Sequence, residues 1–393
     1  MIPRNPSAVS THHSCRPGLL LALLLASCAG SAPAVEPRPQ SEPDTRPEEE
    51  APIGVAVTID DLPWVGGVAP GDASESGVRR MLAALEVRRA PVTGFVTCHN
   101  AEGHEDALAA WLASDMGVGN HSDTHRAFDE LGLAAWRQDI EDCQARIGAL
   151  NGESPTYYRY PFLQTGADAA LRDQGFEVLE ALSLRRAPVS IDTSEWALLG
   201  PYLAARQAGD EATVTAIGRA YVDHLRRATR HYLALAAELG HARAPQVLLL
   251  HANALAADHL DAVLGMLEDE GLVFVTLDDA LADPLYALED HYVGNVGLSW
   301  LHRIEGSDSR RWAWDAAQMH AMQVRFDGRD ERAEFNLDQG LSVRRDPEGY
   351  VISHEGRETR IDAAGQLESP LSDASTSRSV QDWLEARFGM DRD

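Results

Sequence analysis

The sequence predicts an α/β fold built on parallel strands, followed by a small module of antiparallel strands. From residue 51 onward, short apolar runs alternate with longer amphipathic segments, an order typical of parallel strands covered by helices and compatible with a barrel. After about residue 286 the pattern changes to period-two alternation between Gly and Asp turns, which indicates antiparallel strands.

The bulk composition allows a large domain and excludes one class of partner. The chain has 393 residues, of which 44% are hydrophobic, enough for one catalytic-size domain and an extra module. Its formal charge of -27 argues against nucleic acid as a partner, because nucleic-acid binding requires clustered Lys and Arg.

Residues 1–28 have the pattern of a signal peptide. Arg4 and Arg16 precede the apolar stretch GLLLALLLAS, which is too short to span a bilayer as a mature helix. The stretch ends in LASC, which resembles the lipobox of bacterial lipoproteins. That resemblance implies lipidation of Cys28 and a lipid anchor in the outer membrane, facing the periplasm. An ordinary cleaved signal with a chance cysteine is the alternative.

Residues 29–50 are rich in Pro and Glu and are predicted to be a disordered tether. The strands predicted after them are Val55–Ile59, Val92–Cys98, Met116–Asn120, Tyr157–Tyr160, Phe176–Leu179, Pro188–Ile191, Val247–Leu250 and Leu272–Thr276. The helices predicted between them include Ser76–Val87, Glu105–Ser114, Leu133–Leu150 and His259–Asp269.

Two segments interrupt this order. Residues 201–241 are Ala-rich and helical over more length than one crossover helix needs, so they are predicted to be an insertion that forms a lid or an extra groove wall. Residues 286–393 are predicted to contain a helix-like stretch, a small antiparallel β module and a loose Ser-rich tail.

Polar residues follow five of the predicted strands at the point where each strand ends. They are Asp60 and Asp61, His121 and His125, Arg159, Asp192, and His251. Because the carboxyl ends of parallel strands share one face, these side chains are expected to converge there. Each one alone has an ordinary explanation as a helix cap, a surface ion pair or a near-core histidine.

The same residues carry a resemblance to the polysaccharide deacetylases of carbohydrate esterase family 4. That family has the motifs T-F-D-D, H-[ST]-x-x-H, R-x-P-[FY], a loose D-x-x-[DE]-W and L-x-H. In the same order this chain has TIDD from Thr58, HSDTH from His121, RYPF from Arg159, DTSEW from Asp192 and LLH ending at His251. The resemblance covers about residues 51–285 and implies a distorted (β/α) barrel of about seven parallel strands.

The resemblance implies a site for a divalent metal, with Zn²⁺ favoured by the ligand types. Asp61, His121 and His125 correspond to the metal ligands, since a carboxylate with two imidazoles suits Zn²⁺. Asp60 corresponds to the general base, and Arg159 to the residue that holds it.

On the opposite side, the resemblance implies that His251 protonates the departing amine and that Asp192 orients His251. The backbone N–H of Tyr160, followed by Pro161, corresponds to an oxyanion contact. Trp196 and Leu249 correspond to an apolar pocket for the acetyl methyl group.

The implied activity is removal of N-acetyl groups from a cell-envelope or exported glycan. An O-acetyl carbohydrate esterase on the same site is an alternative, and so is a non-catalytic lipoprotein that binds glycan. Leu62 stands where the family has Gly, and its bulk predicts a narrower groove at the rim of the site. The sequence leaves open whether Cys98 and Cys143 pair.

Overall fold

The architecture comes from a computed structural model that describes residues 51–68, 73–294 and 297–305, together with the backbone of four later strands. The predicted signal peptide, the tether and Cys28 lie outside the described residues, as do most of the predicted C-terminal helix and the tail. No helix in the described part is both long and apolar enough to cross a membrane.

The strands are β1 (Ile53–Leu62), β2 (Val92–Val96), β3 (Gly117–Asn120), β4 (Tyr157–Tyr158), β5 (Arg185–Arg186), β6 (Gln246–His251), β7 (Leu272–Phe274), β8 (Phe335–Leu337), β9 (Leu341–Asp346), β10 (Gly349–His354) and β11 (Arg357–Asp362). The helices are α1 (Ser74–Arg88), α2 (Glu105–Leu112), α3 (Phe128–Asn151), α4 (Ala169–Ala181), α5 (Leu199–Ala208), α6 (Glu211–Glu238), α7 (Ala254–Asp269), α8 (Leu277–Leu281) and α9 (Trp300–Glu305).

Strands β1 to β7 form one seven-stranded sheet in the order β5-β4-β3-β2-β1-β6, with β7 paired to the start of β1. Every pairing in this sheet is parallel, which confirms the predicted α/β class and strand number. β1 is buried along most of its length, as expected for a strand with helices or other strands on both faces.

The short segment after β5 connects the two ends of this sheet. The amide of Ala187 donates to the carbonyl of Tyr158 on one side, and the amide of Leu249 donates to Ile191 on the other. Ile191 also forms an isolated parallel bridge with Leu248 of β6. The sheet therefore closes into a distorted barrel through a single irregular segment.

Two of the predicted strands differ from the observed elements. Phe176–Leu179 was predicted as a strand, and this is wrong, because these residues lie inside α4. Asp168 caps that helix by accepting a hydrogen bond from the amide of Leu171 at 2.9 Å. A four-residue apolar run does not distinguish strand from helix. In Pro188–Ile191 only Ile191 forms a strand bridge, and the short regular strand of this region is Arg185–Arg186.

The inserted segment 201–241 contains the end of α5 and all of α6. Eleven of the 28 residues of α6 are buried, among them His224, which contacts the carbonyl of Thr193. α6 packs against α7 and against the turn that begins at Glu195. These contacts are with a helix and a turn, and the role of the segment as a lid or an extra groove wall stays a prediction.

Leu62 lies in the core, not at the rim of the site. Its side chain is fully buried, and a Cβ added at Gly94 would lie 2.1 Å from its Cδ1. The predicted narrowing of the groove by Leu62 is therefore wrong.

Strands β8 to β11 form a separate four-stranded antiparallel sheet in the order β11-β10-β9-β8. The antiparallel arrangement agrees with the period-two alternation of the sequence.

Candidate active site

Two adjacent carboxylates, Asp60 and Asp61, lie at the end of β1. Their side chains point to different neighbours because the backbone turns between them. Asp60 still pairs in register with His251 of β6, whereas Asp61 has a left-handed backbone with φ of 64°. Asp is one of the residues that tolerates this conformation. Both side chains are buried, although they are adjacent in the sequence.

The two histidines come from the loop that follows β3. The Oγ of Ser122 accepts from the amide of His125 at 2.9 Å, and the carboxylate of Asp139 on α3 accepts from the amides of Asp123 and Thr124. These bonds hold a tight loop in which His125 itself has a positive φ of 53°.

Asp61, His121 and His125 lie close enough to share one metal ion. Their ligand atoms are all within 4.8 Å of one another, and Nε2 of His125 is 3.2 Å from Oδ1 of Asp61. Nδ1 of His121 is 2.8 Å from the carbonyl of Arg159, so the proton is on Nδ1 and Nε2 is left as a ligand atom. The donor set fits a divalent cation such as Zn²⁺.

The electrostatics favour the ligand forms of these side chains. Burial raises the pKa of Asp61, but nearby His125, His121 and His251 outweigh it and bring the pKa below its usual value. Burial, together with His121, lowers the pKa of His125 to about 4. At neutral pH the site thus presents a carboxylate and a neutral imidazole, the forms that bind metal.

Asp60 is held by a buried arginine. Nη1 of Arg159 lies 3.2 Å from both carboxylate oxygens of Asp60, and Nη2 donates to the hydroxyl of Thr58 at 3.2 Å. The guanidinium also packs over the ring of Phe95. Asp60 Oδ2 is 3.6 Å from Nε2 of His121, so the carboxylate lies beside the metal ligands.

The partner of His251 is Glu195, not Asp192. Glu195 Oε2 lies 3.0 Å from Nδ1 of His251, and Oε1 accepts from its backbone amide at 2.9 Å. Burial lowers the pKa of His251, but the charge and hydrogen bond of Glu195, with Asp61 and Asp60, raise it to about 10.

Asp192 instead accepts from the amide of Ser194 at 3.3 Å, and burial raises its pKa. The prediction that Asp192 orients the ring is thereby corrected. The same DTSEW stretch contained Glu195, but spacing alone did not distinguish the two carboxylates.

The apolar residues predicted at the site differ in exposure. Leu249 is buried in β6, whereas Trp196, next to Glu195, is 46% exposed. The side chains of Tyr160 and Pro161 are buried, and the Tyr160 ring stacks on Trp136 at 5.4 Å between centroids.

Sequence reasoning assigned no role to Phe162. It is 53% exposed, and its ring centroid lies 4.6 Å from that of His125. An aromatic residue after Pro at a strand end was the available signal.

Residues 48–179 match the family model described as polysaccharide deacetylase. This part of the chain is similar to polysaccharide deacetylase domains. The match contains Asp60, Asp61, His121, His125 and Arg159, and it ends before Glu195 and His251. The second half of the site is therefore assigned by geometry.

Solved structures with low sequence identity are similar to this chain over part of its length. A CE4 family pseudoenzyme from Bacillus anthracis is 15% identical with a TM-score of 0.42, over 58% of this chain and 65% of that one. The peptidoglycan deacetylase PdaC from Bacillus subtilis is 22% identical with a TM-score of 0.39, over 59% and 92%. A polysaccharide deacetylase from Bacillus cereus is 19% identical with a TM-score of 0.41, over 57% and 91%.

Proposed function

We propose that the protein is a metal-dependent hydrolase that removes N-acetyl groups from a cell-envelope or exported polysaccharide, with Zn²⁺ as its metal. One observation carries the proposal: Asp60 and His251 lie opposite each other on neighbouring strands, beside the three side chains that can share a cation. Such a pair supplies a base and an acid within one site.

Each residue then has a distinct task. Asp61, His121 and His125 would hold a divalent metal, which would supply Lewis acidity to lower the pKa of water and polarise a carbonyl group. Asp60 removes a proton from the attacking water, and Arg159 positions Asp60.

On the other side of the scissile bond, His251 donates a proton to the departing amine nitrogen, and Glu195 positions its ring. Because Glu195 keeps the pKa of His251 near 10, the imidazolium is present at neutral pH. Leu249, Trp196 and the exposed ring of Phe162 supply apolar surface for the acetyl methyl and the sugar, and the amide of Tyr160 contacts the oxyanion.

The test is acetate release from N-acetylated chitooligosaccharide and peptidoglycan, with O-acetylated xylan as the comparison. We expect acetate with an equal amount of new amine. Exhaustive chelation should abolish release, and Zn²⁺ should restore it. Acetate without new amine would favour the O-acetyl esterase. No release from any substrate by protein that contains metal would favour a glycan-binding lipoprotein.

The role of Asp60 is tested separately by Asp60→Asn. We expect kcat to fall by about 10²- to 10⁴-fold, the usual contribution of general acid–base catalysis, while bound metal is retained. Asp123→Asn is the matched control, because Asp123 belongs to the same site region but contacts Arg146. Full activity of Asp60→Asn would rule out the role as base.

We also propose a lipid anchor at Cys28 and a periplasmic location on the outer membrane. The lipobox-like LASC supports the anchor, and the disulfide Cys98–Cys143 agrees with an oxidising compartment. Cys28→Ala should move the protein from the membrane fraction to the soluble periplasmic fraction. Retention of the variant on the membrane would contradict the anchor.

A further inference from the structure

A cavity next to the candidate active site contains charged groups that the proposed chemistry does not use. It lies between the loop that begins at Tyr160, the segment 186–189 and the residues Asp290, Leu298, Trp300 and Arg303. Its volume of about 40 Å³ has room for about three water molecules, or for a ligand of a few non-hydrogen atoms. Arg159 and Tyr160 belong to its wall, so the cavity adjoins the site of the proposed reaction.

Two residues of the cavity wall each have a buried polar atom with no hydrogen-bond partner among the described residues. The atoms are Nη1 of Arg303, a residue that is 3% exposed, and the hydroxyl of Tyr160, which is 5% exposed. Buried donors without a partner cost free energy unless a ligand or ordered water supplies an acceptor.

The guanidinium of Arg303 is fixed in place by its other nitrogens. Nε and Nη2 donate to Oδ2 of Asp290 at 3.1 and 2.7 Å, and Nη2 also contacts the hydroxyl of Thr165. The guanidinium is therefore held in one position, and its Nη1 is already oriented to donate to an acceptor.

Arg186 adds a positive charge and shares its neighbouring carboxylate, Asp290, with Arg303. Within the described part of the chain, the side chain of Arg186 makes no hydrogen bond or ion pair, and its guanidinium packs over the ring of Phe176. Asp60 neutralises Arg159, and Asp290 neutralises Arg303. Because Arg186 is exposed, the cavity also reaches solvent.

We propose that this cavity binds a small carboxylate. Guanidinium groups match the planar geometry of a carboxylate, and a tyrosine hydroxyl can donate one further hydrogen bond. The carboxylate has two candidate sources, the acetate that the reaction would release and a carboxylate substituent of an acidic glycan. The choice of source rests on the proposed function, but the binding itself does not.

The first test is calorimetric titration of the purified full-length protein with sodium acetate, with sodium chloride as the reference salt. We expect saturable binding of acetate, weakened at least about tenfold in Arg186→Gln, since a charged hydrogen bond of this kind is typically worth that much or more. Tyr160→Phe, which removes only the hydroxyl, should weaken binding by a smaller factor.

Arg185→Gln is the matched control. Arg185 is the neighbouring exposed arginine of β5, contacts Asp278 and is not in the wall of this cavity. Its substitution removes the same charge from the chain and should change acetate affinity less than twofold. Absence of acetate binding, equal displacement by chloride, or equal loss in Arg185→Gln would overturn the proposal.

Steady-state kinetics separate the two sources. If released acetate binds here, Arg186→Gln raises the inhibition constant of acetate and leaves KM unchanged for every substrate. If a substrate carboxylate binds here, KM rises only for carboxylate-bearing glycans and not for neutral chitooligosaccharide. Because the titration requires no turnover, failure of the proposed hydrolase activity and failure of carboxylate binding are distinguishable.

Discussion

At the scale of single residues, adjacent side chains of the candidate site contact different partners. Asp60 and Asp61 are adjacent in sequence, yet one contacts Arg159 and the other contacts His125. The left-handed turn at Asp61 separates them. Backbone conformations of this kind are found where a site must direct a side chain, and here one carboxylate lies among the candidate metal ligands while its neighbour lies against Arg159.

The pH dependence of the protein should reflect Glu195 and His251. The pKa of His251 is about 10 in the folded protein and 6.5 in an unperturbed histidine. Because the folded value is the higher one, the pair stabilises the fold fully below pH 6.5, and this contribution is lost as the pH rises through about 10. Glu195→Gln should therefore reduce stability at neutral pH and remove this alkaline dependence.

In the pH profile of kcat, Glu195→Gln should move the alkaline decrease from near pH 10 toward lower pH. The reason is that the general acid then loses its proton at a lower pH. Glu141→Gln, which alters a surface pair with Arg137, should leave the decrease in place. An unchanged alkaline decrease in Glu195→Gln would mean that His251 is not the acid, or that Glu195 does not tune it.

The burial of Leu62 gives a second prediction at this scale. Leu62→Ala should lower the free energy of unfolding by about 2–5 kcal/mol, the usual cost of a cavity in a core. The exposed Leu150 provides the control, and Leu150→Ala should change stability by less than about 0.5 kcal/mol. Urea denaturation measures both. If Leu62→Ala had normal stability and accepted bulkier glycans, the result would indicate that Leu62 lies at the rim of the site.

At the scale of elements, the disulfide Cys98–Cys143 connects the turn after β2 to α3. The loop that it closes contains both histidines of the candidate metal site, His121 and His125. Core packing of α3 through Trp136 and Ile140 supports the same region. The disulfide thus limits the freedom of the chain that supplies two of the three candidate metal ligands.

Loss of the disulfide should destabilise the protein by about 2–4 kcal/mol, because the cross-link restricts the unfolded chain. Cys98→Ser, Cys143→Ser and the double variant should have the same free energy of unfolding, since any one of them breaks the bond. Denaturation in urea without reductant measures the effect. Additive losses in the double variant would indicate that packing of the thiols, rather than the bond, is responsible.

At the scale of the whole molecule, Arg159 links several strands inside the barrel. Its side chain contacts Thr58 and Asp60 of β1, Phe95 of β2 and the carbonyl of Ala187 in the closing segment. It is 1% exposed, so its charge depends on Asp60 for compensation. The active site and the closure of the barrel therefore share one residue.

Arg159→Met should lower the free energy of unfolding by about 3–5 kcal/mol, because it leaves the carboxylate of Asp60 buried without a partner. Adding Asp60→Asn should recover part of this loss, since the double variant leaves no unpaired charge at these two positions. Arg79→Met, at an exposed pair with Glu75, should cost less than about 1 kcal/mol. Equal losses in the Arg159 single variant and the double variant would show that the charge pair is not the cause.

The sequence by itself predicted the fold class and the three candidate metal ligands that the structure brings together. Alternation of apolar runs and amphipathic segments is a local pattern, and parallel strands place their carboxyl ends on one face. The polar ends of β1 and β3 could therefore be predicted as neighbours. The prediction of a strand at Phe176–Leu179 was wrong, because a short stretch of mostly apolar residues is as common in a helix as in a strand.

Only the tertiary structure decided which of two nearby carboxylates contacts His251, where Leu62 points and which cysteines pair. Asp192 and Glu195 are three residues apart, and the turn between them brings only Glu195 to the ring. Leu62 faces Gly94 because β1 and β2 are paired in one register. These outcomes depend on contacts between distant segments, and no spacing within one segment contains that information.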